Sequence, residues 1–296
     1  MNKVEPRIFA GVDAIFGNRQ TARAVIVPVP YDGTSTWGKG ADAGPGALLD
    51  AADNMELYDM ETGIEVYRKG ICLDEPICER ESPESMTEAV KQRIEGILVS
   101  GQVPVVIGGE HSVSIGAIQA CAARHPNLSV LQLDAHSDLR PTYMGSACNH
   151  ACALHWASQH LNLVQVGIRS QDISEKAYEQ TGNVFDAESC ATRNDKDWVA
   201  EALERCGAPG TPLYMTIDLD AFDPAFCPDT GTPEPGGLNW WQVLKLAKGA
   251  IERFDVVGFD VVELAAHSRS KPSDFLAAKL IYKMLTYRLM NETDLA

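Results

Sequence analysis

Three short motifs concentrate the side chains that do metal and acid–base chemistry. GGEHS carries His111, DAHSD carries Asp134, His136 and Asp138, and DLD carries Asp218 and Asp220. Each follows an apolar run of strand length. On an extended chain, residues i, i+2 and i+4 point to one side. Asp134, His136 and Asp138 are therefore expected to converge on one point if the chain stays extended, and Asp218 and Asp220 to do the same from another strand. With His111 this makes two imidazoles and four carboxylates. Carboxylates so crowded repel one another unless they are protonated or neutralised, and two divalent cations would supply the neutralising charge. Oxygen-rich ligation with some imidazole suits Mn(II), and Ni or Co are compatible, whereas structural zinc prefers thiolate. Two such ions lower the pKa of a shared water toward neutrality, giving a nucleophile able to attack a planar carbon such as that of a guanidinium. Alone, His111 reads as a polar loop residue and DLD as a turn former or helix cap. DAHSD is costlier without a cation, and all three motifs at successive strand ends point to a dinuclear site.

The elements that must position these groups alternate between apolar strands and amphipathic helices. Strands are predicted over 24–30, 104–109, 129–136, 163–168, 213–220 and 255–264. Helices are predicted over 82–98, 114–125, near 171–181, over 239–254 and over 273–290. Ser82 is the candidate N-cap of the first helix, with Pro83 at its first position, where a missing N–H costs nothing. Near-continuous apolar strands separated by helices imply an α/β fold with a parallel sheet covered on both faces. Ligands of such sheets bind beyond the carboxyl ends of the strands. The Pro/Gly-rich segment 227–237 follows a strand end and reads as an active-site loop, so residues 1–296 are expected to form a single domain.

The chain has 296 residues, 45% of them hydrophobic, enough for a full core. Its 41 acidic and 25 basic residues give a net charge of −16. That balance argues against nucleic acid, which needs clustered Lys and Arg, and it is compatible with a cationic substrate or with simple solubility. The eight Cys form no CxxC pair and read as reduced thiols of a cytoplasmic protein. The first residues lack the apolar core of a signal peptide, and no run approaches the length of a membrane span.

Taken in order, GGEHS, DAHSDLR, NHAC, DLDAFDPAFCPDTGTPEPGGL and GFDVVEL resemble the signature segments of the ureohydrolase family, which includes arginase and agmatinase. The resemblance runs from about residue 24 to 290, and TGTPEPGG looks like the agmatinase version of its loop. It implies an arginase-like three-layer α/β/α fold with a mostly parallel central sheet, two Mn(2+) per subunit and a homotrimer or homohexamer. It also implies that His111, Asp134, His136, Asp138, Asp218 and Asp220 are the metal ligands. By the same resemblance His150 is the proton shuttle and Glu263 pairs with the substrate guanidinium. The resemblance further implies that Asp138 donates the proton to the leaving amine. Without the resemblance, His150 would read as a loop histidine and Glu263 as a strand-end salt bridge. The implied reaction converts agmatine to putrescine and urea. Aminopropylagmatine, guanidinobutyrate and arginine are the alternative substrates, and a non-catalytic metal-binding relative or a single-zinc deacetylase are the other readings. Arg140, Arg169, Glu234 and the loops 31–45 and 141–149 are candidates for sensing the substrate tail. Where many members have His-Gly and a Pro-containing turn, this chain has His150-Ala151 and, after Glu263, LAAHSRSKPSD.

Overall fold

The structure, a computed structural model, describes residues 7–266 and 271–295. Eight strands form one all-parallel sheet. In chain order they are β1 (Ala24–Val29), β2 (Ile71–Leu73), β3 (Val103–Gly108), β4 (Ser129–Leu133), β5 (Asn162–Ile168), β6 (Val184–Asp186), β7 (Pro212–Asp218) and β8 (Asp255–Val262), and they lie side by side as β2-β1-β3-β8-β7-β4-β5-β6. The helices are α1 (Gly44–Ala52), α2 (Pro83–Val99), α3 (Val113–Arg124), α4 (His155–His160), α5 (Ala187–Thr192), α6 (Asp195–Arg205), α7 (Trp240–Arg253) and α8 (Pro272–Leu289).

Successive strand residues face opposite sides of the sheet, and both sides are dry. Ile107, Leu133, Ile217 and Val261 join side chains of α1, α6, α7 and α8 in one core, while Val106, Val130, Tyr214 and Val257 join α2, α3 and Ala157 of α4 in the other. The predicted three-layer α/β/α architecture is therefore what the chain adopts. Ser82 caps α2 as expected: its hydroxyl accepts from Ser85 N–H, and Pro83 opens the helix.

Several elements differ from the sequence reading. The segment near 171–181 is a short 3-10 turn, Ile173–Tyr178, opened by Asp172, whose carboxylate takes the N–H of Ser174. The strand predicted to reach residue 136 stops at Leu133, and the strand to 220 stops at Asp218, after which Leu219–Ala221 turn as a 3-10 helix. The short edge strands β2 and β6, and α1, α4, α5 and α6, are additions.

Register places the motifs together. Ile107 pairs with Val261, Val261 with Ile217, and Ile217 with Leu133. These four residues form one row across the adjacent central strands β3, β8, β7 and β4. His111, Glu263, Asp218 with Asp220, and Asp134 to Asp138 all follow within a few residues of that row. β8 alone joins the β2-β1-β3 half to the β7-β4-β5-β6 half.

Candidate metal centre and active site

The six predicted ligands come together, although not by an extended chain. Asp138 adopts φ 53°, a left-handed conformation that costs a non-glycine residue energy and tends to mark functional positions. In place of alternation, three of the four carboxylates divide their two oxygens. Asp134 Oδ1 accepts from His136 N–H at 2.6 Å, Asp218 Oδ1 from Asp220 N–H at 2.8 Å, and Asp220 Oδ1 from Ala135 N–H at 3.0 Å. The other oxygens of Asp218 and Asp220 turn inward. His111 Nδ1 lies 3.1 Å from Asp134 Oδ2, 3.0 Å from Asp138 Oδ2 and 3.4 Å from Asp218 Oδ2. His136 Nδ1 lies 2.9 Å from Asp220 Oδ2 and 3.6 Å from Asp134 Oδ1. Two donor groups result, His111–Asp134–Asp218 and Asp134–His136–Asp220, and they share Asp134.

These residues fit a pair of divalent cations. His111 Nδ1 is buried and has no hydrogen-bond partner. Its other nitrogen, Nε2, sits 2.9 Å from Thr216 Oγ1. The Thr216 hydroxyl donates to Asp260 at 2.6 Å, so it accepts from Nε2–H, and Nδ1 is the nitrogen that faces the carboxylates. Fixing the far nitrogen in this way is how proteins orient metal-binding imidazoles. Gln132 Nε2 donates to Asp134 Oδ2 at 2.7 Å. Electrostatics agree with the geometry. Burial, then Asp220 and Asp134, push Asp218 well above the carboxylate range. Burial and Asp134 push Asp138 up to about 7. Burial opposes charge on His136, yet Asp220 and Asp134 push it up to about 12. Bare, the cluster must hold protons, and cations relieve that demand.

Beside the cluster opens a cavity of about 310 Å³, whose lining includes His136, Asp138, Arg140, Tyr143, His150 and Glu263. Glu263 has φ 65°. Its Oε1 accepts from His111 N–H at 2.8 Å, and its own N–H donates to Gly109 O at 2.8 Å. Burial, then Glu110, push its carboxyl well up. Among the described residues no ion pair holds it, unlike the strand-end salt bridge that is its ordinary reading, and its half-buried carboxyl group lines the cavity. His150 is held from loop 31–45, where Thr34 Oγ1 lies 3.1 Å from its Nδ1. Burial, then the imidazoles His111 and His136, push His150 down to about 4, so it is neutral near pH 7. Gly109 is required by close packing, since a Cβ there would lie 1.9 Å from Tyr31 O. That contact seats loop 31–45 against the end of β3.

The tail-sensing candidates separate. Arg169 is committed to structure: its guanidinium donates to the carbonyls of Asp220 and Glu234, both at 2.7 Å, and to that of Gly167 at 3.1 Å. It clamps the loop 227–237. Glu234 does not line the cavity, whereas Thr232 of the same loop does. Arg140 lines the mouth, 3.3 Å from Asp172 and with its guanidinium 4.7 Å from the ring centre of Tyr143. Loop 141–149 contributes Tyr143, whose ring meets His150 edge-on with centroids 6.1 Å apart. The sequence reading did not single out Thr34, Glu110, Gln132, Thr216 or Asp260. Three of these interrupt buried apolar strands, as in SVLQL, LYMTID and GFDVVEL, and a polar side chain in such a run needs a partner. In the loop after Glu263, residues 267–270 lie outside the described residues.

Comparison with known proteins agrees with the geometry. N(1)-aminopropylagmatine ureohydrolase of Synechocystis sp. is 34% identical over 292 residues, covering 95% of this chain and 94% of that protein. The agmatinase of Pyrococcus horikoshii is 29% identical over 268 residues, covering 88% and 90%. The crystal structure of agmatine ureohydrolase of Thermoplasma volcanium superposes with a TM-score of 0.83 at 28% identity, over 95% of this chain and 94% of that one. Residues 22–286 match the Arginase family. With a shared-carboxylate candidate metal site at the ends of three central strands, this chain is a ureohydrolase of the arginase family.

Proposed function

We propose that the chain hydrolyses agmatine to putrescine and urea. The observation that carries this reading is the cavity mouth. Among the described residues lining it, Arg140 is the one Arg or Lys, and it is already engaged by Asp172 and Tyr143. A substrate ending in a carboxylate finds no unengaged cation there, which disfavours arginine and guanidinobutyrate, while a cationic tail approaches a strongly acidic protein. A second reading, N(1)-aminopropylagmatine, is favoured by the similarity to the Synechocystis enzyme. It shares the cationic, carboxylate-free tail and lengthens it.

The cations would be Mn(2+), with Ni or Co as substitutes, held by His111, Asp134, Asp138 and Asp218 on one side and by Asp134, His136 and Asp220 on the other. When bound, they make water a nucleophile near neutral pH and neutralise developing negative charge. Glu263 receives the guanidinium N–H groups in a charge-assisted pair and holds the planar carbon over the cluster. Asp138 passes a proton to the leaving amine. His150 exchanges protons with cavity water. The working enzyme is a homotrimer or homohexamer.

Urea release from manganese-loaded protein, measured in parallel on agmatine, aminopropylagmatine, guanidinobutyrate and arginine, tests the assignment. We expect agmatine to exceed the two carboxylates by on the order of 100-fold in kcat/KM, the scale on which mismatched polar groups are rejected. Preference for aminopropylagmatine selects the second reading. Preference for arginine or guanidinobutyrate, or no urea from any of the four, removes both.

A further inference from the structure

We infer that Thr34 is a positioning residue that fixes the tautomer of His150, placing its proton on Nδ1 and leaving Nε2 as the only nitrogen able to exchange protons with the cavity. This rests on the shuttle role proposed for His150. The Thr34 hydroxyl has one hydrogen and two lone pairs, and the structure accounts for all three. Thr34 Oγ1 donates to Glu110 Oε1 at 2.8 Å, accepts from His150 N–H at 3.0 Å and faces His150 Nδ1 at 3.1 Å. The direction of the first bond is set by Glu110. Its Oε1 receives the backbone N–H of Thr34 at 3.3 Å and its Oε2 that of Ser112 at 2.8 Å, and Ser112 Oγ also donates to Oε1 at 2.9 Å. Backbone N–H groups can only donate, they favour the ionised carboxylate, and a carboxylate has no hydrogen to give Thr34. With its hydrogen turned to Glu110, Thr34 can only accept from Nδ1, which must therefore carry the proton.

The consequence concerns the route of the proton. A ring that took a proton at Nε2 and released another from Nδ1 would pass it inward, to a hydroxyl whose valences are already full. His150 must instead gain and lose its proton at Nε2. Each turnover then needs water in the cavity to collect it, and the lining offers no second exit through this ring. Loop 31–45 thereby acts on the chemistry without touching substrate, and its seat against Gly109 is what aims Thr34.

The test pairs Thr34→Val, which removes the acceptor at nearly constant shape, with Thr34→Ser, which restores it. Histidine-15N-labelled protein free of paramagnetic metal reports the tautomer directly, and the His150→Ala variant identifies the His150 signals. The expected pattern is Nδ1–H in the parent and in Thr34→Ser, with the alternative tautomer appearing in Thr34→Val. In manganese-loaded protein, kcat of Thr34→Val should fall by on the order of tenfold with KM changed less than about twofold, and Thr34→Ser should recover most of it. An Nε2–H signal in the parent overturns the inference, as does an unchanged signal in Thr34→Val or a serine variant that fails alongside valine. Full turnover by metal-replete His150→Ala would end the shuttle reading, while the 15N pattern still decides whether Thr34 sets the tautomer.

Discussion

Single residues hold this site in a form that pure repetition along a strand would not supply. The left-handed backbone at Asp138 and Glu263 departs from what side chains of this kind prefer, and both residues line the cavity beside the cluster. Asp134 does most to unite the site, since it belongs to both donor groups. Replacing Asp134 with Ala should therefore empty both positions: metal analysis after gel filtration should fall from about two ions per subunit to near none, with urea release lost in parallel. Retention of one full equivalent would show that the two positions do not depend on a common ligand. The orientation of His111 depends on Thr216 and Asp260, neither of which belongs to the donor groups.

At the scale of elements, α7 and α8 are tied to the segment before β2 by charge. Glu61 accepts from Lys248 at 2.7 Å, Lys283 at 2.5 Å and the Tyr287 hydroxyl at 2.6 Å, and Lys283 also reaches Asp59 at 2.8 Å. Burial works against charge on Glu61, but Lys248, Lys283 and Tyr287 pull it from the ordinary 4.5 down to about 2. A carboxyl held below its unfolded value stabilises the fold above that value and loses the contribution as pH falls toward its folded one. Between about pH 4.5 and 2 the parent should thus lose thermal stability more steeply than Glu61→Gln, as melting curves at several pH values would show. Equal slopes would remove Glu61 from the acid response. Elements of this kind mark the limit of what the sequence discloses. The central strands and α2, α3, α7 and α8 carry long apolar patterns, α2 and α7 with capping boxes as well, and they were legible. β2 and β6 are three residues each, too short for a periodic signal. α1 begins inside a run of Gly and Pro that reads as loop. The convergence of the ligands was anticipated, but its cause was not: backbone N–H groups grip one oxygen of a carboxylate and turn the other inward, an arrangement that spacing alone does not encode.

The whole molecule bears a net charge of −16, and no helix among its described residues is long and apolar enough to cross a membrane. A field of that sign gathers cations, and mobile ions weaken it over about 10 Å at 0.1 M salt. For agmatine, kcat/KM should decline severalfold as salt is raised from low to high concentration while kcat holds, and a guanidino substrate with an uncharged tail should respond less. Salt-independent kcat/KM would assign the acidic surface to solubility alone.

The insertion of β8 between β3 and β7 also bears on how the enzyme is made. A ribosome delivers β3 early and β7 late, and domains tend to fold as their segments emerge, but the strand that must lie between them is the last of the eight to appear. Until it does, His111 on one half of the sheet has no fixed distance to Asp134 and Asp218 on the other, and Glu263 has not yet been synthesised. A nascent chain can therefore bring Asp134, His136 and Asp220 together on the adjacent β4 and β7, but His111 joins them only once the final strand has been inserted.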